Sequence, residues 1–166
     1  MSDEQNSRDK IIYEWFMKET HGKSYPPVKP AMREVILEVL GEVAAADGIF
    51  SEEERKWIIG FASTCGYPQE LLNKFQTYEP GHSSEVKKYF QDVDLPYVQR
   101  SRLSIVYYGL RAANADGELH EKEIEAIHAL AKQLGVTDDQ LQQMRAICDA
   151  EDKLREKRAK LLFPEG

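Results

Sequence analysis

Two cysteines in 166 residues, Cys65 and Cys148, are too few and too far apart in sequence for a disulfide framework, and suit reduced thiols. No apolar run approaches the roughly 20 residues of a membrane span, and the polar opening "MSDEQNSRDK" has no signal-peptide core behind it. Both absences predict a cytoplasmic chain. Basic charge is in deficit: 22 Lys and Arg against 29 Asp and Glu leave −7, which excludes nucleic acid and anionic membrane as partners for most of the surface. There is no glycine-rich phosphate loop and no Ser/His/Asp or Cys/His arrangement, so the expectation is a chain that is not an enzyme. Glycine (10) and proline (7) are sparse and fall between periodic segments. What remains, 42% apolar and 31% charged, is ordinary for a folded domain, and the distribution of breakers reads as all-α.

The periodicity predicts about seven or eight helices. Ile11 to Glu19 is the first, halted by Gly22 and three prolines in "THGKSYPPVKP". Ala31 to Ala46 follows, with Met32, Val35, Ile36, Val39, Leu40 and Val43 on one face. Further helices are expected from Ser51 to Cys65, from Pro68 as first residue to about Tyr78, over Glu85 to Asp92, from Pro96 to Ala115, and over Glu121 to Leu134. Thr137 and Gln140 form a capping box that opens a last helix to about Leu162.

A shift of 69 residues overlays two of these stretches without a gap. Ile36 falls on Ile105, Ala44 on Ala113, Asp47 on Asp116, Gly48 on Gly117, Glu52 on Glu121 and Glu54 on Glu123. Ile58, Ala62, Gly66 and Leu72 fall on Ile127, Ala131, Gly135 and Leu141. The core domain, residues 31–150, therefore reads as a duplicated unit with repeats at about 35–72 and 104–141, packed about a pseudo-twofold axis. Residues 1–30 are an N-terminal helix and Pro-rich linker, and 151–166 a basic extension. Because His128 occupies the place of Ile59 and Cys65 that of Leu134, both are expected to be core or half-core rather than chemical. Glu125-x-x-His128 matches a di-iron motif of helical bundles, but only one copy lies on a helix, which argues against that chemistry.

The duplicated turns, "AAADGIFSEEE" (Ala44–Glu54) and "ANADGELHEKE" (Ala113–Glu123), carry the candidate site. Set against an EF-hand loop, Asp47 and Asp116 take position 5, Gly48 and Gly117 position 6, and Glu54 and Glu123 position 12. Position 1 is Val43 or Ala112 and position 3 is Ala45 or Asn114, so each loop alone lacks its first ligands. A purely structural reading suffices locally: glycine stops one helix, Ser51-x-x-Glu54 caps the next, and acids favour its N-terminus. Two features go further. An aspartate at a helix C-terminus opposes the dipole, and the Asp, Glu and Glu recur at matching places in both copies. A twofold axis near both turns would gather Asp47, Glu54, Asp116 and Glu123 around a divalent cation, Ca²⁺ or Mg²⁺ rather than Zn²⁺, or around a basic partner, with Glu52 and Glu121 in the surrounding acidic patch.

The doubled A-x-A-D-G turn with its trailing glutamates, one domain apart in an acidic helical chain, resembles the TerB-like tellurite-resistance family, whose fold also occurs in the co-chaperone DjlA. The resemblance covers about residues 31–146. It implies a helical bundle with pseudo-twofold symmetry and an acidic, metal-binding patch that falls here on Asp47, Glu52, Glu54, Asp116, Glu121 and Glu123. It implies a role in stress response or scaffolding, with protein partners often at the inner face of the membrane. The alternative is a co-chaperone or adaptor module whose acidic turns are only structural. The tail "KLREKRAKLLF", Lys153 to Phe163, has five basic residues and one acid. It is either a partner-docking or membrane-surface helix or, more simply, a solvated helix whose Leu154, Leu161, Leu162 and Phe163 pack back on the core.

Overall fold

The duplication read from the sequence reappears as geometry in the computed structural model, which describes residues 3–164 apart from 116, 118 and 120. Helix α1 spans Asp3–His21, α2 Arg33–Ala44, α3 Glu52–Thr64 and α4 Gln69–Phe75. After α5, Ser84–Gln91, come α6 Pro96–Ala113, α7 Glu121–Gln133 and α8 Asp138–Leu162. There is no strand among the described residues. The series α2-α3-α4 is repeated as α6-α7-α8, and α2 and α6 make the most extensive contact in the molecule.

The repeat extends to single hydrogen bonds. Arg33 donates to the Gly66 carbonyl at 3.0 Å, and Arg102, 69 residues on, donates to that of Gly135 at 3.2 Å and of Leu134 at 3.1 Å. The Tyr67 amide closes α3 onto the Ala62 carbonyl at 3.1 Å, and the Val136 amide closes α7 onto Ala131 at 2.9 Å. Ile58, Ala62 and Leu72 are buried, as are Ile127, Ala131 and Leu141.

Three sequence expectations need correction. Helix α1 begins at Asp3 rather than Ile11, since the polar lead contains no breaker and acids suit a helix start. Pro68 precedes α4 as its cap, with φ −59° and ψ 141°, instead of opening it. The apolar residues of the tail do not pack back on the core: Leu154, Leu161, Leu162 and Phe163 are 55%, 79%, 58% and 72% exposed. Glu151 and Asp152 bind Tyr107 and Arg111 of α6, and from residue 153 to 163 every side chain faces solvent. The helix runs on past the surface that would have covered it.

Helix α1 docks through aromatic rings. Phe16 meets Phe61 edge-on at 5.9 Å, Phe61 lies 4.2 Å from Tyr108, and the Tyr108 hydroxyl is 2.7 Å from His21 Nε2. His128 is half-buried and pairs with Asp138 at 2.7 Å, beside the N-terminus of α8. This accounts for it without a metal. Burial pushes the Cys65 thiol up to about 12 and the Cys148 thiol up to about 11. Because the thiolate is the reactive form, alkylation by iodoacetamide at pH 8 should run roughly a hundredfold or more slower in the folded chain than in urea, where thiols return to about 8.5. Equal rates in the two states would show that these thiols are not held in the core.

Candidate functional site

The first turn is built by backbone necessity. Helix α2 ends at Ala44, and the chain reverses through Gly48 at φ +95°, a region open to glycine and costly to other residues. The Gly48 amide donates to the Ala45 carbonyl at 2.9 Å, and the Ile49 amide donates to Asp47 Oδ1 at 2.9 Å, so Asp47 fastens the turn from its exposed side. Gly117 repeats this at φ +91°, its amide donating to Asn114 at 3.2 Å.

Helix α3 then starts with a complete capping box. The Glu54 amide donates to Ser51 Oγ at 3.2 Å, and the Ser51 amide donates to Glu54 Oε2 at 2.6 Å. Glu54 is only 5% exposed. Burial, and then the negative charges of Glu123 and Asp47, push its carboxyl above the ordinary range, while the hydrogen bonds from Ser51 offset part of that rise. The second turn's glutamate thus adds, after burial, to the rise at the first turn's glutamate.

The remaining predicted residues divide. Glu52 is exposed and paired with Lys56 at 2.7 Å, one helical turn on, which holds its carboxyl below the usual range. Glu121 is exposed in the first turn of α7, and Glu123 is half-buried. Asp116 lies outside the described residues, as do Glu118 and His120. Among the described residues, no three His, Cys, Asp or Glu side chains group closely enough to hold a metal ion. The charges of Glu123 and Asp47 are felt at the Glu54 carboxyl, but the described acids do not close into a metal-holding group, and Glu52 and Glu121 are exposed.

Sequence reasoning missed the most buried cation among the described residues. Arg111, 8% exposed, donates to Asp152 Oδ1 at 2.7 Å and lies 3.5 Å from Glu151. Asn114 donates to the other Asp152 oxygen at 2.6 Å, and Tyr107 donates to Glu151 at 2.8 Å. In the 69-residue overlay Arg111 falls on Glu42, which accepts from the Tyr78 hydroxyl at 2.8 Å and the Gly81 amide at 2.5 Å. Both residues tie the first helix of their repeat to the segment at its end, with opposite charge. The charge inversion at an apolar-flanked position of the overlay was the available signal, though Glu53 over Lys122 and Lys56 over Glu125 invert as well.

Residues 66–146 match the family of the tellurite resistance protein TerB. A tellurite resistance protein from Nostoc punctiforme superimposes with a TM-score of 0.80 at 28% identity, over 100% of this chain and 98% of that one. The superposition takes in the N-terminal helix and the C-terminal extension, which the turn motif alone does not reach. No curated protein matches the chain.

Proposed function

The chain is TerB-like, and on that premise we propose that it is a non-enzymatic cytoplasmic module, serving stress response or scaffolding, whose paired acidic turns take a divalent cation or a cationic group of a protein partner. One observation carries the reading: a nearly buried glutamate, Glu54, has its carboxyl pushed up chiefly by burial and further by the charges of Glu123 on the other turn and Asp47 on its own. A cation placed among them would relieve that repulsion. The donors are all carboxylate oxygens, which suit Ca²⁺ or Mg²⁺ better than Zn²⁺. Asp116 is the fourth carboxylate this reading requires.

Calorimetric titration with Ca²⁺, Mg²⁺ and Zn²⁺ tests it. The wild type should take up one of the first two, and Asp47→Asn/Asp116→Asn should bind at least about tenfold more weakly, as loss of two of four carboxylates implies. Silence with all three metals removes the cation and leaves the basic partner.

The adaptor reading, in which the acids only build the turns, is favoured by one specific observation, that the capping box and the Asp47 bond already employ both side chains. Its pH profile differs. A raised folded-state pKa means the folded chain holds the proton more tightly, so stability is greatest below the ordinary glutamate range and falls as pH rises through the pKa of folded Glu54. Glu54→Gln keeps an acceptor for the Ser51 amide and should flatten that fall. Saturating Ca²⁺ or Mg²⁺ should flatten it too if the site takes a cation, and should leave the wild-type profile unchanged if the turns are only structural.

A further inference from the structure

The end of α8 is a helix without a surface to rest on. From 153 to 162 it extends about 15 Å at 1.5 Å per residue, and a free helical end of that length is marginal in water. It carries Lys153, Arg155, Lys157, Arg158 and Lys160 against the single acid Glu156, and ends in exposed Leu161, Leu162 and Phe163. Helices α2, α4 and α5 enclose a groove of about 870 Å³ with no residue of α8 in its lining. Its floor is apolar, with Val35, Leu71, Phe75 and Tyr78, and its rim carries Glu34, Glu38, Glu79 and Glu85. Lys74 is already paired with Glu34 and Arg55 with Glu79 at 3.4 Å, which leaves Glu38 and Glu85 as the open acids beside the remaining rim cation, Lys88. Helix α8 packs on α6 and α7, away from this groove.

We propose that the groove receives the basic C-terminal helix end of a second copy of this chain, so that copies associate tail to groove. The complementarity is of both kinds a docking site needs: leucines and a phenylalanine for an apolar floor, and a row of cations for a glutamate rim. Such a contact joins two different patches, so it propagates into rings or open chains rather than closing as a symmetric pair. It uses neither acidic turn.

Sedimentation velocity of the full chain at low salt tests the idea, comparing wild type with the groove variant Glu38→Lys/Glu85→Lys and the tail variant Lys157→Glu/Lys160→Glu. The wild type should associate, and disperse as salt is raised. Each variant alone should be monomeric, and an equimolar mixture should recover one-to-one pairs, since one keeps a tail and the other a groove. A labelled peptide of residues 150–166 should bind the tail variant at least about tenfold more tightly than the groove variant, a loss typical of reversed charge pairs. If Glu38→Lys/Glu85→Lys is misfolded by circular dichroism, Glu38→Gln/Glu85→Gln takes its place with the same direction expected. A wild type that stays monomeric, a mixture that does not pair, or a tail that binds phosphatidylserine vesicles while the groove variant associates like wild type would each overturn the proposal.

Discussion

Gly109→Ala should destabilise the fold by about 1–3 kcal/mol, the range for overpacking a filled core. A Cβ built on Gly109 would sit 2.2 Å from Val43 Cγ1 and 2.8 Å from Val43 Cβ, where α2 and α6 cross. Neither atom can swing away, since Val43 is fully buried and its χ1 is stiff. Alanine is otherwise the better helix residue by roughly 0.5–1 kcal/mol, which supplies an internal control. Gly60, exposed on α3 with nothing within 4 Å of its Cβ position, should gain stability on replacement by alanine. Opposite signs in urea unfolding for the same substitution would locate the crossing. Val43→Ala placed beside Gly109→Ala should recover part of the loss, because two contacting sites are not additive. If both glycine replacements stabilise, α2 and α6 do not approach this closely.

Arg111→Ala should cost about 2–4 kcal/mol, toward the lower side of the range for breaking a buried pair. The discount is for solvent: the Arg111 side chain is 9% exposed, but those of Asp152 and Glu151 are 25% and 42%. Asp152 keeps hydrogen bonds from Asn114 and Arg155 in the variant, and Glu151 keeps Tyr107. Arg111→Lys preserves the charge and loses the Nη1 that reaches both Asp152 and Glu151, so it should fall between wild type and Arg111→Ala. A cycle with Asp152→Ala should show coupling above about 0.5 kcal/mol, as contacting charges do. A loss below that size for Arg111→Ala would mean the network adds nothing to the docking of α8. Because this network is the last attachment of α8 to the core, the variant should also loosen hydrogen-exchange protection along α8 before that along α2.

The sequence by itself determined the helix order, the duplication and the chemistry of each turn. Breakers and caps are local: Gly48, Gly66, Gly117 and Gly135 stop helices at positive φ, and Ser51 and Thr137 start them with full capping boxes. Their bonds span only a few residues, so spacing alone reveals them. The TerB-like resemblance followed from the same local features, because a turn that repeats with its glycine, cap and acids is recognisable without any contact between the copies. The burial of equivalent positions such as Ile58 and Ile127 was legible for the same reason.

Three things were decided only by tertiary structure, and each depends on what one element meets at long range. Glu54 became a carboxyl with a raised pKa because folding buried it, with the charge of Glu123, 69 residues away, adding to the rise. Arg111 found Asp152 and Glu42 found Tyr78 and Gly81, opposite charges in equivalent places, because α8 continues as helix where the first half has already turned into loop. The tail's leucines, apolar enough to suggest packing, were left in solvent because α8 outruns the surface of α6. Periodicity sets which face of a helix is apolar. Whether a neighbour is there to cover it depends on the lengths and placement of the other helices.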